Sequence, residues 1–402
     1  MNTSASAALA LVRGRSAPEM RRLRIAIATA GRFHVLDLAR ELHALGHRVK
    51  FYSYVPRARA ERFGLPADCH VSLLPFVLPA IAWQQLMPRF LPSVRARLLY
   101  ALLNRAVMMR LQPCDVFICM SGIYLEAARF AKQRYGATIW LDRGSQHILA
   151  QDEILASLPG AERPSPLAIR RELAGYALAD RVVIPSGHVE ESFRRDRAAH
   201  GKLFRNPYGV DLAMFPLRLE GRLVSDPISL LFVGIWCLRK GCDLLGEAVR
   251  RVHGVRLTHV GAIGDLHLPS NDDRFVHIDP VPQAQLARFY AAADVFILAS
   301  REDGFGVVLS QALASGVPVI CTDRTGGADL AYTAALAQRI TVVPAGDVDA
   351  LACAIAAWRD RLRAGAAPPP LCESDREMLS WRGYGRRHSD ELLRAVATTP
   401  AQ

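Results

Sequence analysis

The sequence is short of the features that mark several protein classes. Its eight cysteines (residues 69, 114, 119, 237, 242, 321, 353 and 372) form no Cys-x-x-Cys pair, which argues against a zinc or redox motif and against a disulfide framework. They read as small buried hydrophobes in a reducing cytosol. The longest apolar stretch, near Val71 to Leu86, is broken by Pro75 and Pro79 and falls short of the roughly 20 residues a membrane-spanning helix needs. The N-terminal apolar run, Ala7 to Val12, is brief, is flanked by Arg13 and Arg15 and lacks a charged start, so no cleavable leader is expected. Aromatics make up 7% and are not interleaved with the basic residues, which disfavours nucleic acid as a partner. The first glycine turn lacks Gly-x-Gly-x-x-Gly, and no Asp-x-Asp lies near a candidate nucleotide loop; Asp272-Asp273 falls in a polar, exposed loop.

What the chain has is 51% apolar residues against 22% charged, ample for buried cores, and 402 residues, enough for two domains of about 150–200 each. Its charge is divided unevenly. Residues 1–210 carry 30 Lys and Arg against 16 Asp and Glu, whereas residues 211–402 carry 20 against 22. The whole +12 excess therefore sits in the first half. That suits contact with an anionic surface, such as lipid headgroups or a phosphorylated acceptor, and equally suits an Arg-rich solvated face. Val94 to Leu111 places Leu, Tyr and Met on one side and Arg95, Arg97, Arg105 and Arg110 near the other. Such a basic amphipathic helix either lies on an anionic membrane or packs its apolar side on its own domain.

Periodicity predicts alternating strands and helices. Residues 1–20 look disordered. Strands are expected at Arg24–Thr29, His47–Tyr54, Val116–Met120, Thr138–Asp142 and Arg181–Pro185, with helices at Val35–Leu45, Ile123–Tyr135 and Leu167–Leu178. After a polar linker near Leu217–Pro227 the pattern restarts. Strands are expected at Ser229–Gly234, Arg256–Gly261, Val276–Ile278, Val295–Leu298 and Val317–Cys321, with helices at Gly241–Val252 and Gln283–Ala292. Pro368-Pro369-Pro370 is a stiff linker before one or two closing helices in Ser374–Val396. The alternation predicts two doubly wound, Rossmann-like α/β domains facing a cleft.

The most informative stretch is Ala299 to Asp323. There the turn Asp303-Gly304-Phe305-Gly306 lies at the carboxyl end of a strand and the amino end of a helix. Free backbone N–H groups and the positive helix end favour an anionic ligand at such a place, and glycines let the backbone approach it. Three more segments accompany it: Phe232 to Val249 with Arg239-Lys240-Gly241, Thr325-Gly326-Gly327-Ala328-Asp329-Leu330, and Val342 to Ile355. In order and spacing the four together resemble the retaining nucleotide-sugar glycosyltransferases of the GT-B fold, the group 1 or family 4 type. Asn206-Pro207-Tyr208-Gly209-Val210-Asp211 with Phe215 resembles that family's domain-junction motif, and Ser380-Trp381 with Tyr384 resembles its closing helix, which crosses back onto the first domain. The first half matches in architecture only.

The resemblance implies domains of 21–212 for the acceptor and 213–373 for the nucleotide-sugar, with helices in 374–402 returning to the first. Asp303 stands at the first Glu of the family's Glu-x7-Glu pair and would contact the donor sugar; Gln311 stands at the second and would bond the ribose. Backbone N–H groups from Gly304 through Phe305 and Gly306 to Val307 would bind sugar hydroxyls or the diphosphate. Lys240 matches the lysine that neutralises the diphosphate. The family's Arg after Gly234 is Ile235 here, and Arg239 is the nearest replacement. In the first domain Gly31 would approach the diphosphate, and His147, after the strand ending at Asp142, would reach the donor sugar. Arg143 would meet phosphate or pair with Asp142.

The expected reaction moves a sugar from a nucleoside diphosphate to an acceptor hydroxyl with retention, without metal or other cofactor, in envelope or exopolysaccharide synthesis. The expected partners are a nucleotide-sugar donor and a glycan or lipid-linked acceptor, in the cytoplasm or peripherally at the inner membrane face. The alternatives are a GT-B protein that serves only as a binding partner or subunit, and an epimerase of the same fold. If the basic half meets lipid, the protein should co-sediment with anionic liposomes at low salt and be released at high salt; protein that stays in the supernatant at low salt counts against membrane contact.

Overall fold

The computed structural model describes residues 22–79, 92–218, 223–269 and 271–398. The expected disordered N-terminus, residues 1–20, lies outside them, as do 219–222 of the polar linker. Seven strands form one sheet: β1 (Arg24–Ala28), β2 (Arg48–Ser53), β3 (His70–Ser72), β4 (Val116–Met120), β5 (Thr138–Asp142), β6 (Arg181–Ile184) and β7 (Leu203–Arg205), in the order β3-β2-β1-β4-β5-β6-β7. Six form the second: β8 (Ile228–Val233), β9 (Val255–Val260), β10 (Phe275–Ile278), β11 (Val295–Leu298), β12 (Val319–Thr322) and β13 (Ile340–Val343), in the order β10-β9-β8-β11-β12-β13. Every pairing is parallel. Helices cover the sheets, so the central strands are apolar runs without alternation; all four residues of β11 are buried. In each sheet the order reverses between the first strand and its neighbour, β1/β4 and β8/β11, and ligands of such sheets bind at the carboxyl ends there. The two-domain GT-B architecture expected from the sequence is the one observed.

The differences are local. β3, β7 and β13 were not expected. The first two have three residues each and β13 is a partly exposed edge, too short or too mixed for a periodic signal. The single helix expected over Gln283–Ala292 is a 3-10 turn, Gln283–Gln285, followed by a helix at Ala287–Ala292. The closing segment is two helices, Glu373–Met378 and Trp381–Thr398. The basic stretch is a helix, Pro92–Arg110, that buries Leu103, Ala106 and Val107 in the first core and leaves Val94 and Met109 exposed. No helix among the described residues is long and apolar enough to cross a membrane. All eight cysteines are unpaired; six are buried as expected, but Cys353 and Cys372 are exposed.

The two junction motifs clasp each other. Val210 N–H donates to Leu379 O at 2.8 Å and Trp381 N–H donates back to Val210 O at 3.2 Å, forming a parallel bridge between Val210 and Ser380. Gly209 permits this: a Cβ there would lie 2.5 Å from Trp381 N. Arg387 donates to Asn206 Oδ1, Pro207 O and Met378 O, satisfying carbonyls that the crossing would otherwise leave unpaired. Beyond this clasp, helix Trp381–Thr398 lies on helix His34–Ala44 of the first domain, and Ser389 Oγ meets His47 Nε2 at 2.9 Å.

This crossing buries His388 completely, against Trp140, Phe204 and Tyr384, and neither ring nitrogen finds a partner among the described residues. Burial, reinforced by His34 and His47, pushes its pKa from the ordinary 6.5 down to about 3. The unfolded chain therefore binds more protons than the folded one between those values, and stability falls as pH drops through that window. At pH 5 this one group removes about 2 kcal/mol relative to neutral pH. Melting temperature should fall from pH 7 to pH 5, and His388→Leu should reduce the fall; an undiminished fall would place the titration elsewhere.

Candidate functional site

The turn after β11 is built by close backbone packing. Gly241, at the start of helix Cys242–Arg251, has φ +65°, and a Cβ on it would lie 2.0 Å from Ala299 O. Arg301 ties the two turns further: its amide donates to Arg239 O, and its guanidinium bonds Leu238 O and Asp243. The result brings the basic pair Arg239-Lys240 against the acidic pair Glu302-Asp303. Lys240 Nζ forms an ion pair with Asp303 Oδ2. Arg239 Nη1 lies 3.2 Å from Glu302 Oε2 and 3.1 Å from Glu302 O. Arg239 thus points to the same turn as Lys240, while the Ile235 side chain is 50% exposed.

The Phe305 side chain is a core wedge, and the residue's N–H donates to Asp303 Oδ1 at 3.3 Å. It is buried, meets Tyr208 edge-on at 5.3 Å, and lies where a Cβ on Gly326 would come within 2.1 Å of its ring. This explains the Gly326 of the Thr325-Gly326-Gly327 segment. Gly306 turns the chain with φ +80° into helix Val307–Ala314, whose Val307 and Val308 N–H groups have no intrahelical acceptors, while Leu309 N–H donates to Gly306 O. Gln311 is buried on that helix, its Oε1 accepting from Tyr290 OH at 2.8 Å, which leaves its amide nitrogen for any further partner. Gly234 ends β8 with φ +149°. A Cβ on Gly31 would meet only the Phe33 ring, at 3.5 Å, so packing alone does not demand glycine there.

The first domain closes on this turn. Ser145 Oγ donates to Glu302 Oε1 at 3.2 Å, Ser186 Oγ to Gly304 O at 2.7 Å, and Gly187 N–H to the Asp329 carboxylate at 2.9 Å. Arg205 also reaches Asp329, at 3.0 Å. Arg143 bonds Glu172 at 3.0 Å and Gln146 O, and so is committed neither to Asp142 nor to a free phosphate position. Asp142 instead pairs with His34, 2.9 Å away.

His147 is buried and locally engaged. Its Nδ1 accepts from Leu149 N–H at the start of helix Ile148–Ser157, its ring lies on Tyr176 and Phe193, and Nε2 is 3.5 Å from Asp196. Burial lowers its pKa, partly offset by Asp196. It lines a cavity of about 900 Å³ shared with His188, Arg195, Arg197 and, from the second domain, Arg324. His188 is the imidazole beside the acidic turn, and sequence reading missed it. Ser186 spends its proton on Gly304 O, so His188 Nδ1, 2.9 Å from Ser186 Oγ, carries hydrogen and Nε2 keeps its lone pair. Burial pushes its pKa down to about 4, despite Asp303 nearby. Its one sequence signal was its place just after a predicted strand end.

Two family models match the chain: "Glycosyl transferase 4-like domain" over residues 29–209 and "Glycosyl transferases group 1" over residues 227–360. A curated D-inositol 3-phosphate glycosyltransferase of Segniliparus rotundus is 32% identical over 204 residues, which is 44% of this chain and 44% of that one. Against the first relatives, then, this chain spans about half or less of their length. One from Streptosporangium roseum is 26% identical across 90% of this chain and 88% of its own. Among solved structures, sucrose-phosphate synthase from Thermosynechococcus elongatus has a TM-score of 0.68 at 18% identity, covering 94% of this chain and all of that one. Anabaena HepE, in a structure with UDP and glucose, has a TM-score of 0.65 at 13% identity, covering 92% and 99%. At those identities the structures speak for the fold.

The tightest contact between the domains yields a test. A Cβ on Gly304 would lie 1.9 Å from Gly144 O. Gly304→Ala should therefore hold the cleft open and raise the radius of gyration in small-angle scattering; an unchanged radius would show that the turn yields without opening.

Proposed function

Because the chain belongs to the GT-B glycosyltransferases of the group 1, family 4-like type, we propose that it transfers a sugar from a nucleoside diphosphate to an acceptor hydroxyl in the cleft between its domains. The observation that carries this reading is the convergence of Arg239 and Lys240 on the turn Glu302-Asp303-Gly304, with the amino end of helix Val307–Ala314 beside it. A leaving nucleoside diphosphate gains negative charge, and fixed cations with helix N–H groups stabilise it most where water is excluded. Arg239 takes the part of the family's missing arginine at Ile235. Arg239 and Lys240, held here by Glu302 and Asp303, exchange these carboxylates for the diphosphate, and Asp303 is then free to bond the donor sugar.

In the proposed reaction the bond from the anomeric carbon to the diphosphate oxygen breaks, and its electron pair leaves with the phosphate. The acceptor oxygen bonds the same face of the carbon, and its proton passes to the departing phosphate, so configuration is retained. No metal is required on this reading. Gln311 meets the ribose through its free amide nitrogen, and Gly31, Gly234 and the amides of Gly304, Phe305, Gly306 and Val307 approach the diphosphate and sugar. The cavity lined by His147, His188, Arg197 and Arg324 receives the acceptor. Its arginines suit an acceptor that carries phosphate, as a lipid-linked glycan of the cell envelope does. A peripheral place at the inner membrane face follows from that acceptor.

Calorimetry with UDP, GDP and ADP, first without metal and then with magnesium, tests this. One diphosphate should bind without metal, and Lys240→Ala should weaken it by about ten- to a hundredfold, the worth of a charge-assisted bond. Failure of all three to bind would overturn the donor site, and binding only with magnesium would overturn metal independence.

A further inference from the structure

Beneath the turn that follows β8 lie two histidines that the proposed reaction does not use. His259, in β9, is 1% exposed and is stacked between Phe232 and His277, with ring centroids 5.5 and 4.9 Å away. Its Nε2 is 2.9 Å from Gly234 O. Its Nδ1 is 3.0 Å from Nδ1 of His277, in β10, whose Nε2 lies 3.5 Å from Asp279 at the surface.

The protons in this chain are determined by what each end can do. A carbonyl oxygen only accepts, so His259 Nε2 carries hydrogen. In the neutral ring Nδ1 then holds a lone pair, and the facing Nδ1 of His277 supplies the hydrogen between them. A second proton on His259 would set two N–H groups against each other, whereas one on His277 would point at Asp279. Burial acts in the same direction, lowering the His259 pKa.

The chain ends on the peptide unit Gly234–Ile235. That unit is planar, so its oxygen and its N–H point opposite ways. The oxygen is drawn down between His259 and Gly261, where a Cβ on Gly261 would lie 2.0 Å from it. The Ile235 N–H is thereby turned the other way. Its neighbours Gly234 N–H and Trp236 N–H are spent on Val260 O and Ala262 O, at 3.0 and 2.8 Å, while no acceptor for Ile235 N–H is found among the described residues.

We propose that His277 and His259 are positioning residues that aim the Ile235 N–H at the donor diphosphate, so that a backbone donor joins the cations of Arg239 and Lys240. This rests on the donor site proposed above. The side chain of Ile235 cannot bond phosphate, but its amide, at the carboxyl end of β8 and close in sequence to Arg239 and Lys240, can. His259 holds it there without touching the ligand.

The test is diphosphate affinity together with the tautomer. In calorimetry with UDP, GDP and ADP, His259→Phe should raise the dissociation constant of whichever binds by about three- to tenfold, the worth of one hydrogen bond. His259→Gln, which keeps an N–H at the place of Nε2, should restore most of it, a rescue that packing alone does not predict. His277→Ala should give a smaller loss, because His259 Nδ1 loses the donor that selects its tautomer. Nitrogen-15 spectra of histidine-labelled wild-type protein should show His259 protonated at Nε2. Wild-type binding with equal affinity in His259→Phe, or a His259 protonated at Nδ1, overturns the inference while leaving the donor site standing. Absence of diphosphate binding by the wild type overturns the donor site and this inference with it.

Discussion

The acidic turn after β11 is the constraint on which the rest depends. One side of it carries two carboxylates onto Arg239 and Lys240, and the other side has no side chain at all where Gly304 meets Gly144. Only a glycine allows two backbones from different domains to come so close. The turn is therefore a shared wall: the second domain supplies its charge, and the first domain, through Ser145 and Ser186, fixes its position.

The clasp between Asn206–Asp211 and Ser380–Tyr384 ties the domain junction to the closing helices. Its bonds run largely through main-chain groups and through Arg387 and Arg376, whose planar forks each satisfy several carbonyls. The same crossing buries His388 without a hydrogen-bond partner among the described residues, an electrostatic cost borne where the two sheets are tied together.

Electrostatics in the cleft is one of exchange. Two cations and two carboxylates nearly neutralise one another, so an arriving diphosphate replaces existing ion pairs rather than filling a bare positive hole. Its gain is the difference between two sets of bonds, and selectivity then lies in geometry: the fork of Arg239, the helix amides and the direction of the Ile235 N–H. Neutral imidazoles border this arrangement on both sides, His188 above the turn and His259 below the β8 end, each with its tautomer set by an acceptor that cannot donate.

Much of this was legible in the chain alone. Apolar runs separated by amphipathic helices specify two parallel sheets, because a strand buried on both faces needs no alternation, and the glycines and basic pair at strand ends mark where an anion is held. The strands β3, β7 and β13 were invisible because they are partly exposed and two of them mix polar with apolar residues over only three positions, unlike the buried apolar run of β11. The destinations of side chains were invisible for a deeper reason. Arg143 goes to Glu172, His147 to its own helix start, Gln311 to Tyr290, His188 to Ser186 and through it to Gly304 O, and His259 to Gly234 O. Residue type and local spacing determined the fold and the edge on which the site lies. Which polar group meets which was decided only by the tertiary structure, since a buried donor or acceptor must take whatever partner packing brings within reach.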